Sequence, residues 1–391
     1  ICHCQRSSRS CCYFAPEKVV ELPSTEELLT AIRGWVEIES QSANAAGVNR
    51  MMDDVESLFR EAGANVERIP NTDGFGDCVS VASPWGGDGP GILVLSHLDT
   101  VHPTGTLDVN PFRIEGDRAY GPGSYDMKGG AYLGFAAYRS LVREGLQTPL
   151  PIRFLYVSDE EVGSRSSRAL IEAAGESAKY VLVTEPARRD GKVVTGRRGS
   201  ARYEIMARGR PAHSGTQHAE GRSAIRELAR HILAIEDKTD YARDMNFNVG
   251  RIEGGTTPNT VPEFCTAQVD LRIAAMAEFE EMDAFIRSLE VVDPDVELTV
   301  TGQLNRPPYK KTPEIQALFD HAKQLANALG FDIEDTATGG GSDGSFVAAK
   351  VPTLDGLGVG GDGAHTLEEH MLISSLQPRL GLMRRLMETL E

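Results

Sequence analysis

Three short apolar runs in this chain end at a histidine or at acidic residues. The runs GILVLS, PIRFLYVS and YVLVT lead into His97, Asp159–Glu161 and Glu185, respectively. Apolar runs of this length are typical of fully buried strands, and helix-like stretches between them indicate a largely parallel sheet. In such sheets, ligands bind beyond the carboxyl ends of the strands. The pattern therefore predicts an α/β fold with ionisable side chains gathered at one edge of its sheet.

The pattern of the sequence changes near residue 196 and changes back after residue 308. Between these points, strand-like and helix-like stretches follow the order βαββαβ, which is typical of a ferredoxin-like domain. We predict a mostly parallel α/β catalytic domain of residues 21–196 and 309–391, an inserted ferredoxin-like α+β domain of residues 197–308, and an irregular tail of residues 1–20. The strands predicted for the insert are Arg202–Arg210, Asn246–Ile252, Glu263–Ile273 and Val296–Thr301, and the helices are Gly221–Asp237 and Ala275–Val291.

The charge and hydropathy of the chain exclude some classes of partner. A formal net charge of −17 over 391 residues disfavours a nucleic-acid partner, because phosphate binding needs a basic surface. No apolar run reaches the roughly 18 residues of a membrane span. The first sixteen residues contain four cysteines but lack the apolar core of a secretory signal. These cysteines fit a small metal site or a disulfide pair, although an unstructured tail is the simpler interpretation. The compartment, cytoplasmic or periplasmic, stays open.

His97 and Asp99 lie two residues apart in SHLDTV, at the end of the first predicted strand. A histidine that ligates a metal usually has its other ring nitrogen held by a carboxylate, and Asp99 is close enough in sequence to do this. Taken alone, the pair fits a surface turn equally well. The combination becomes informative only with the other strand ends.

Asp126 lies in the glycine-rich loop YGPGSYDMKGG, which leads into a predicted helix. Glycine-rich loops before helices often bind phosphate, but this spacing matches neither the dinucleotide nor the P-loop pattern, and an aspartate would repel phosphate. A carboxylate at this junction is better suited to a cation.

Glu160 and Glu161 are adjacent acids, which repel one another unless a positive charge lies beside them. An exposed turn is the alternative, but the preceding strand is expected to deliver both residues to the edge that carries Glu185. His365 follows a second glycine-rich segment near the C-terminus. Two histidines and several acids at strand ends form a ligand set suited to two divalent ions.

Six motifs together resemble the zinc aminoacylase and carboxypeptidase family, which includes glutamate carboxypeptidase, acetylornithine deacetylase and succinyl-diaminopimelate desuccinylase. The motifs are SHLDTV, YGPGSYDMKGG, SDEEVGS, TEP, PAHSG and GAH, and they run in family order from about Pro23 onward. The wording of PFRIEGDRAYGPG and TGGGSDGSF is most similar to glutamate carboxypeptidase.

The resemblance implies a site with two zinc ions, for which cobalt or manganese can substitute. Asp126 is expected to bridge the ions, and Glu160 to act as general base on a water held between them. The resemblance also implies a cis peptide bond after Asp126, which is costly outside proline, and assigns Asp99 as the partner that holds His97. The remaining ligands implied are His97 and Glu185 for one ion, and Glu161 and His365 for the other.

Further roles follow from the same resemblance. The inserted domain is expected to serve as a dimerisation or lid domain, with His213 reaching the site of the partner in a homodimer. Arg272 is expected to hold the free carboxylate of the substrate, assisted by Asn259, Gly340 and, with less support, Arg306. By spacing alone, His213 is equally well a surface or capping histidine and Arg272 a solvent-facing strand residue.

The function expected from the resemblance is hydrolysis of an amide bond beside a free α-carboxylate, as in a glutamate carboxypeptidase acting on a small anionic N-acyl amino acid or short peptide. An N-acyl amino acid deacylase is a close rival, because it uses the same machinery on another acyl group. A non-catalytic zinc-binding interaction protein is a remote alternative, since such a protein would be expected to lose Glu160 or a metal ligand.

A basic cluster between Arg188 and Arg210 stands out in this acidic chain. Solvated charges of turns and strands are the simpler interpretation. The alternative is a positive surface lip that attracts anionic substrates. The cluster comprises Arg188, Arg189, Lys192, Arg197, Arg198, Arg202, Arg208 and Arg210.

Overall fold

The structure is a computed structural model that describes residues 22–71, 73–87 and 89–391. The predicted irregular tail and its four cysteines lie outside the described residues. The helices are α1 (Thr25–Val36), α2 (Ala45–Glu61), α3 (Thr106–Val109), α4 (Gly129–Arg143), α5 (Arg168–Glu176), α6 (Ala224–Glu236), α7 (Met276–Arg287), α8 (Pro313–Ala328) and α9 (Leu376–Thr389). The strands are β1 (Asn65–Ile69), β2 (Cys78–Ala82), β3 (Gly91–His97), β4 (Arg113–Glu115), β5 (Arg118–Tyr120), β6 (Ile152–Val157), β7 (Ala178–Val183), β8 (Val193–Arg197), β9 (Gly199–Arg208), β10 (Asn246–Gly254), β11 (Phe264–Ile273), β12 (Glu297–Arg306), β13 (Asp335–Thr338), β14 (Thr353–Leu354), β15 (Gly361–Asp362) and β16 (His370–Leu372).

The main sheet has the strand order β1-β2-β6-β3-β7-β14. Strand β3 pairs in parallel with both β6 and β7, and β14 pairs in parallel with β7. Strand β2 is antiparallel to both of its neighbours, β1 and β6. Every residue of β3 is buried, because helices cover both faces of a parallel sheet and an apolar run without alternation suits that position. The predicted mostly parallel α/β architecture is therefore confirmed.

Helix α4 packs closely against the end of β7 because its first two residues, Gly129 and Gly130, have no side chains. A Cβ atom added to Gly130 would lie only 2.1 Å from the carbonyl oxygen of Thr184 and 2.8 Å from the Cα of Gly358. No larger residue fits there without moving the main chain. The glycine pair thus brings the segment before α4, which carries Asp126, against the strand end that carries Glu185.

The second main sheet contains β9 to β12 in the order β10-β11-β9-β12, with all neighbours antiparallel. Helices α6 and α7 follow β9 and β11, so the chain order is βαββαβ, as the sequence predicts. This unit has a hydrophobic core of its own, formed by side chains such as Tyr203, Ile205 and Leu271. The ferredoxin-like α+β class is confirmed, and the separate core supports the proposal that residues 197–308 form an inserted domain.

Two smaller sheets contain the remaining strands of the described residues. Strands β8 and β13 pair in parallel, and β15, β16, β5 and β4 form an antiparallel sheet. No helix in the described ranges has the length and apolar character needed to span a bilayer.

A buried ion pair joins β8 to the segment after β14, and the same arginine also contacts the glycine-rich loop of residues 339–344. The Nε and Nη2 atoms of Arg197 donate to the two carboxylate oxygens of Asp355 at 2.7 and 2.8 Å. Its Nη1 atom donates to the carbonyl oxygens of Gly340 and Gly341. Both charged side chains are fully buried. Arg197 is therefore neither a solvated charge nor part of a surface lip, and both interpretations are wrong for this residue. Its guanidinium is buried and holds Asp355 in the core.

We expect Arg197→Ala to lower the free energy of unfolding by about 3–5 kcal/mol, since it leaves the carboxylate of Asp355 buried without its cation. Arg198→Ala is the matched control. Its partly exposed side chain lies 3.4 Å from Asp244, and loss of such a surface pair costs about 1 kcal/mol or less. Urea unfolding followed by circular dichroism measures both variants. Equal destabilisation by the two substitutions would contradict this role of Arg197.

Candidate active site

The carboxyl ends of β3, β6 and β7 lie side by side, and each delivers an ionisable side chain. His97 is the last residue of β3, Glu160 and Glu161 follow β6, and Glu185 follows β7. The Nε2 atom of His97 is 3.7 Å from Oε1 of Glu185. The clustering predicted from the three apolar runs therefore occurs, with potential metal-ligand atoms of His97, Glu160 and Glu185 all within 4.8 Å of one another.

Asp126 lies between two histidines. Its Oδ1 atom is 3.2 Å from Nε2 of His97, and its Oδ2 atom is 3.5 Å from Nε2 of His365. The same nitrogen of His365 is 3.2 Å from Oε2 of Glu161. The aspartate thus presents one oxygen to each half of the cluster, which is the arrangement that a carboxylate shared by two cations requires.

Asp99 is fully buried and organises three of these residues. His97 Nδ1 lies 3.0 Å from the main-chain oxygen of Asp99 and 3.5 Å from its Oδ1 atom. The Asp99 carboxylate also accepts hydrogen bonds from the main-chain amides of Glu160 and Glu161 at 3.1 and 3.2 Å, and from the hydroxyl of Ser42 at 2.6 Å. With Nδ1 held in this way, Nε2 of His97 is directed toward the cluster.

Glu369, which is not among the site residues predicted from the sequence, holds the loop that carries Asp126. Its carboxylate is buried and accepts hydrogen bonds from the main-chain amides of Gly123, Tyr125 and Asp126 at 2.9–3.1 Å, and its Oε2 atom pairs with Nε2 of His102. The Asp126–Met127 peptide bond is cis, as the resemblance implies. No local sequence signal separates Glu369 from its neighbour Glu368, since both follow His365 in a segment of turns and only the structure shows Glu369 buried and Glu368 exposed.

The carboxylates of the site are crowded enough to repel one another strongly. Burial raises the pKa of Glu161 to about 8, with the nearby charges of Asp126 and Glu160 contributing. Burial also raises the pKa of Glu185 well above its usual range, and the same two acids add to the effect. Without a cation, protons must offset this negative charge.

The pKa values of the two histidines are also raised, which for a histidine favours the charged form. Hydrogen bonds to Asp126 and Glu161 raise the pKa of His365 to about 10. Burial lowers the pKa of His97, but its contacts with Asp126 and Asp99 outweigh that effect and raise it. Neutral imidazole and carboxylate oxygens are the ligands that divalent zinc, cobalt and manganese accept. The donor set therefore fits metal ions, which would replace the protons that otherwise hold the cluster together.

Glu160 differs from the other acids of the cluster because its partner is an arginine. Nη2 of Arg306 is 2.8 Å from Oε1 of Glu160, and Nη1 of Arg306 is 2.8 Å from Oδ1 of Asp343. Burial raises the pKa of Glu160, although Arg306 and His97 act against the rise. Glu160 lies close enough to His97 and Glu185 to reach a cation, but Arg306 holds one of its oxygens. Arg306 thus pairs with the expected general base and does not project freely toward substrate.

These residues line a cavity of about 290 Å³ between the two main sheets. Arg272 reaches it from β11, where its Nε atom donates to Asp270 at 2.6 Å and its Nη1 atom donates to the carbonyl oxygen of Gly339 at 3.0 Å. Gly340 also lines the cavity. The complete lining is Asp126, Glu160, Glu161, Gly163, Glu185, Arg188, Ser200, Arg202, Arg272, Asn305, Arg306, Gly340, Gly341, Ala364 and His365.

His213 and Asn259 do not line this cavity. Both are exposed in the inserted domain, where the main-chain amide of Ser214 donates to the carbonyl oxygen of Asn259 and His213 pairs with Thr260. The structure thus brings these two predicted site residues close to one another, but not to the other site residues of the same chain.

We expect Glu369→Gln to weaken binding of zinc by about 10–100-fold, since outer carboxylates that orient metal ligands have effects of this size. An amide cannot accept at both atoms, so at least one main-chain N–H of the Asp126 loop loses its partner. Glu368→Gln is the matched control, because Glu368 is exposed. Competition with a fluorescent zinc chelator measures both variants, and equal affinities would contradict the positioning role of Glu369.

Comparisons with known proteins identify the family of this chain. Residues 93–389 match the family described as Peptidase family M20/M25/M40. Carboxypeptidase G2 of Pseudomonas sp. (strain RS-16) is 31% identical over 374 residues, which cover 92% of this chain and 88% of that protein. Succinyl-diaminopimelate desuccinylase of Acinetobacter baumannii is 26% identical over 336 residues, which cover 81% of this chain and 88% of that protein.

Solved structures share the fold. The aminopeptidase PepT from Bacillus cereus superposes with a TM-score of 0.75 at 24% identity, covering 93% of this chain and 98% of that one. An M20 family metallo-carboxypeptidase from Sulfolobus solfataricus superposes with a TM-score of 0.73 at 17% identity, with coverage of 93% and 98%. The family resemblance drawn from the six motifs is therefore confirmed. The chain belongs to Peptidase family M20/M25/M40 and is a metal-dependent hydrolase that acts on peptide C–N bonds.

Proposed function

We propose that the protein is a two-zinc exopeptidase of the carboxypeptidase type, which cleaves the amide bond beside a free α-carboxylate. The observation that carries the proposal is the position of Asp126 between His97 and His365. One carboxylate oxygen of Asp126 faces each histidine, so the carboxylate is placed to serve two neighbouring cation sites. The similarity to carboxypeptidase G2 supports the reaction class.

In this proposal, Asp126 would be shared by two zinc ions, of which His97 and Glu185 would hold one and Glu161 and His365 the other. Each half then offers imidazole and carboxylate donors, a mixture that also accepts cobalt or manganese. When bound, such ions supply Lewis acidity toward a carbonyl group and lower the pKa of water.

Glu160 is proposed as the general base. Its carboxylate takes a proton from the attacking water and later transfers it to the leaving nitrogen. The pairing with Arg306 at 2.8 Å fixes one oxygen of Glu160 and leaves the other for the proton. Burial, which raises the pKa of Glu160, moves it toward the range in which a carboxylate can accept and then release a proton near neutral pH.

Arg272 is proposed to hold the free carboxylate of the substrate, with Asn259 and Gly340 in support. Its guanidinium lines the cavity and is partly exposed. Its Nε and Nη2 atoms contact Asp270 and its Nη1 atom contacts the carbonyl oxygen of Gly339, so a substrate carboxylate would share the guanidinium with these groups or displace them. A guanidinium binds a carboxylate through two parallel hydrogen bonds, whereas an ammonium group cannot match that geometry. Arg306 remains a weaker proposal for this role, because its side chain is buried and its terminal nitrogens pair with Glu160 and Asp343 of the site itself.

We further propose a homodimer in which His213 serves the site of the partner subunit as a donor to the developing oxyanion. The exposure of His213 outside the cavity of its own chain supports this proposal. Asn259 lies beside it and would accompany it.

N-acyl amino acid deacylation is the second candidate function, favoured by the similarity to succinyl-diaminopimelate desuccinylase. It requires the same cluster and the same base, and differs only in the acyl group accepted. A non-catalytic role has little support, because the chain has both Glu160 and the complete set of expected ligands.

A mass-spectrometric screen of the zinc-loaded protein tests the proposal. The panel contains N-acylglutamates and short peptides ending in acidic residues, together with N-acetyl and N-succinyl amino acids. Release of C-terminal acidic residues supports the carboxypeptidase activity. Turnover confined to the N-acetyl or N-succinyl compounds supports the deacylase activity instead, and turnover of no amide would contradict both.

We expect Glu160→Gln to lower kcat by about 10²–10⁴-fold, the range found when a general base is lost, while zinc content stays at the wild-type level. The amide keeps the shape of the side chain but cannot take up the proton. Atomic absorption measures bound zinc, and single-substrate kinetics measure kcat. Glu176→Gln, at the exposed end of α5, is the control. Near wild-type activity of Glu160→Gln would remove the base assignment.

A further inference from the structure

A second cavity adjoins the catalytic cleft and is larger, at about 570 Å³. It lies over the polar face of the inserted sheet, opposite the face on which Tyr203 and Ile205 pack into the core. Arg202 of β9 lines both cavities, so its side chain lies at their boundary. A substrate held at the catalytic cluster and extended past Arg202 would lie over this sheet.

The polar face is assembled by strand register. Arg202 lies opposite Asp270, and Asp270 in turn lies opposite Asn248, while Glu204 lies opposite Gln268. Arg165 covers the cavity from the other side. It follows Glu161 by four residues, on the segment that leaves the catalytic cluster.

Among the charged side chains that line this second cavity, those without an ionic partner carry more positive than negative charge. Asp270 is neutralised by Arg272 at 2.6 Å, and Arg251 by Glu253 at 2.7 Å. Within the part of the chain that the structure describes, neither Arg165 nor Arg202 has a carboxylate within 4.0 Å, and Glu204 is the one acid of this lining without a basic partner. Two unpaired guanidinium groups thus face one unpaired carboxylate in a protein of net charge −17.

We propose that this cavity is an acyl-side subsite for a second negative charge, bound by Arg202 and Arg165. The inference rests on the proposed function and narrows its substrate class to peptides or N-acyl amino acids whose acyl part carries a carboxylate. Arg202 is the specificity residue at the junction of the two cavities, and Arg165 engages acyl groups that extend further. Guanidinium groups suit this role because they pair with carboxylates through directed hydrogen bonds.

Isosteric acid and amide substrates test the subsite. The probes are N-acetyl-Glu-X and N-acetyl-Gln-X, with a glycine-spaced pair, N-acetyl-Glu-Gly-X and N-acetyl-Gln-Gly-X, where X is the amino acid released best in the screen. We expect kcat/KM to favour the acid over the amide by about 3–10-fold in at least one pair, as for partly exposed charge pairs. Higher salt should reduce the preference, because salt screens such charges.

Arg202→Gln and Arg165→Gln are each expected to bring the acid-to-amide ratio toward 1. Arg208→Gln is the matched control. Arg208 lies on the same strand and the same face, but it lines neither cavity and is 3.8 Å from Glu263. The ratio should be unchanged in that variant, so a general effect of removing positive charge is separated from binding at the subsite.

The outcomes distinguish this inference from the proposed function. Equal kcat/KM for acid and amide in both pairs, with all four peptides cleaved, overturns the subsite and leaves the hydrolase intact. A preference that persists in both Arg202→Gln and Arg165→Gln also overturns it. Failure to cleave any of the four peptides contradicts the proposed function itself, and the subsite with it.

Discussion

Mutual repulsion of buried carboxylates is the constraint around which this structure is organised. Asp126, Glu160, Glu161 and Glu185 lie around His97 in a setting where burial disfavours every ionised acid. The raised pKa values of Glu161 and Glu185 express that cost. A chain would not keep such a cluster for stability alone, since apolar side chains would pack at lower cost. The donor set fits cations, whose positive charge would offset this cost.

Two further carboxylates keep this arrangement in place, and neither belongs to the ligand set. Asp99 joins β3 to the segment after β6, because it contacts His97 and accepts hydrogen bonds from the amides of Glu160 and Glu161. Glu369 joins the C-terminal segment to the loop of Asp126 through three main-chain amides. Each carboxylate satisfies donors that would otherwise be buried without partners. The geometry of the site is therefore set by hydrogen bonds to the main chain.

The alternation of side chains along a β-strand lets the inserted sheet serve two purposes. Along β9, every second residue packs into the core with α6 and α7, and the residues between them lie on the opposite face. Arg272 on β11 and Arg202 on β9 both belong to this opposite face. A sheet that needs only one face for its core can in this way carry charged groups on the other.

Much of the fold and of the site could be predicted from the sequence. Apolar runs ending at His97, Glu160 and Glu185 predict buried strands with functional ends, since burial on both faces of a parallel sheet demands such runs. The βαββαβ order follows from local periodicity in the same way. Asp126 and His365 were candidate cation ligands from their residue types, but only the family motifs gave them specific roles, because a glycine-rich loop with an aspartate has no unique local meaning.

The local elements, the sheet class and the residue types available for metal chemistry can be read from the amino-acid sequence, because periodicity and turn residues act over short distances along the chain. Which charges are buried, and which partners they have, follows from the folded arrangement alone. Arg197 and Arg202 are five residues apart in one basic stretch, yet Arg197 is a buried strut for Asp355 while Arg202 faces two cavities. Likewise, the neighbouring residues Glu368 and Glu369 differ in burial, because Glu368 is exposed and Glu369 is buried. Pairing and burial depend on segments more than a hundred residues away, such as Asp355 for Arg197 and the Asp126 loop for Glu369, and no local pattern records them.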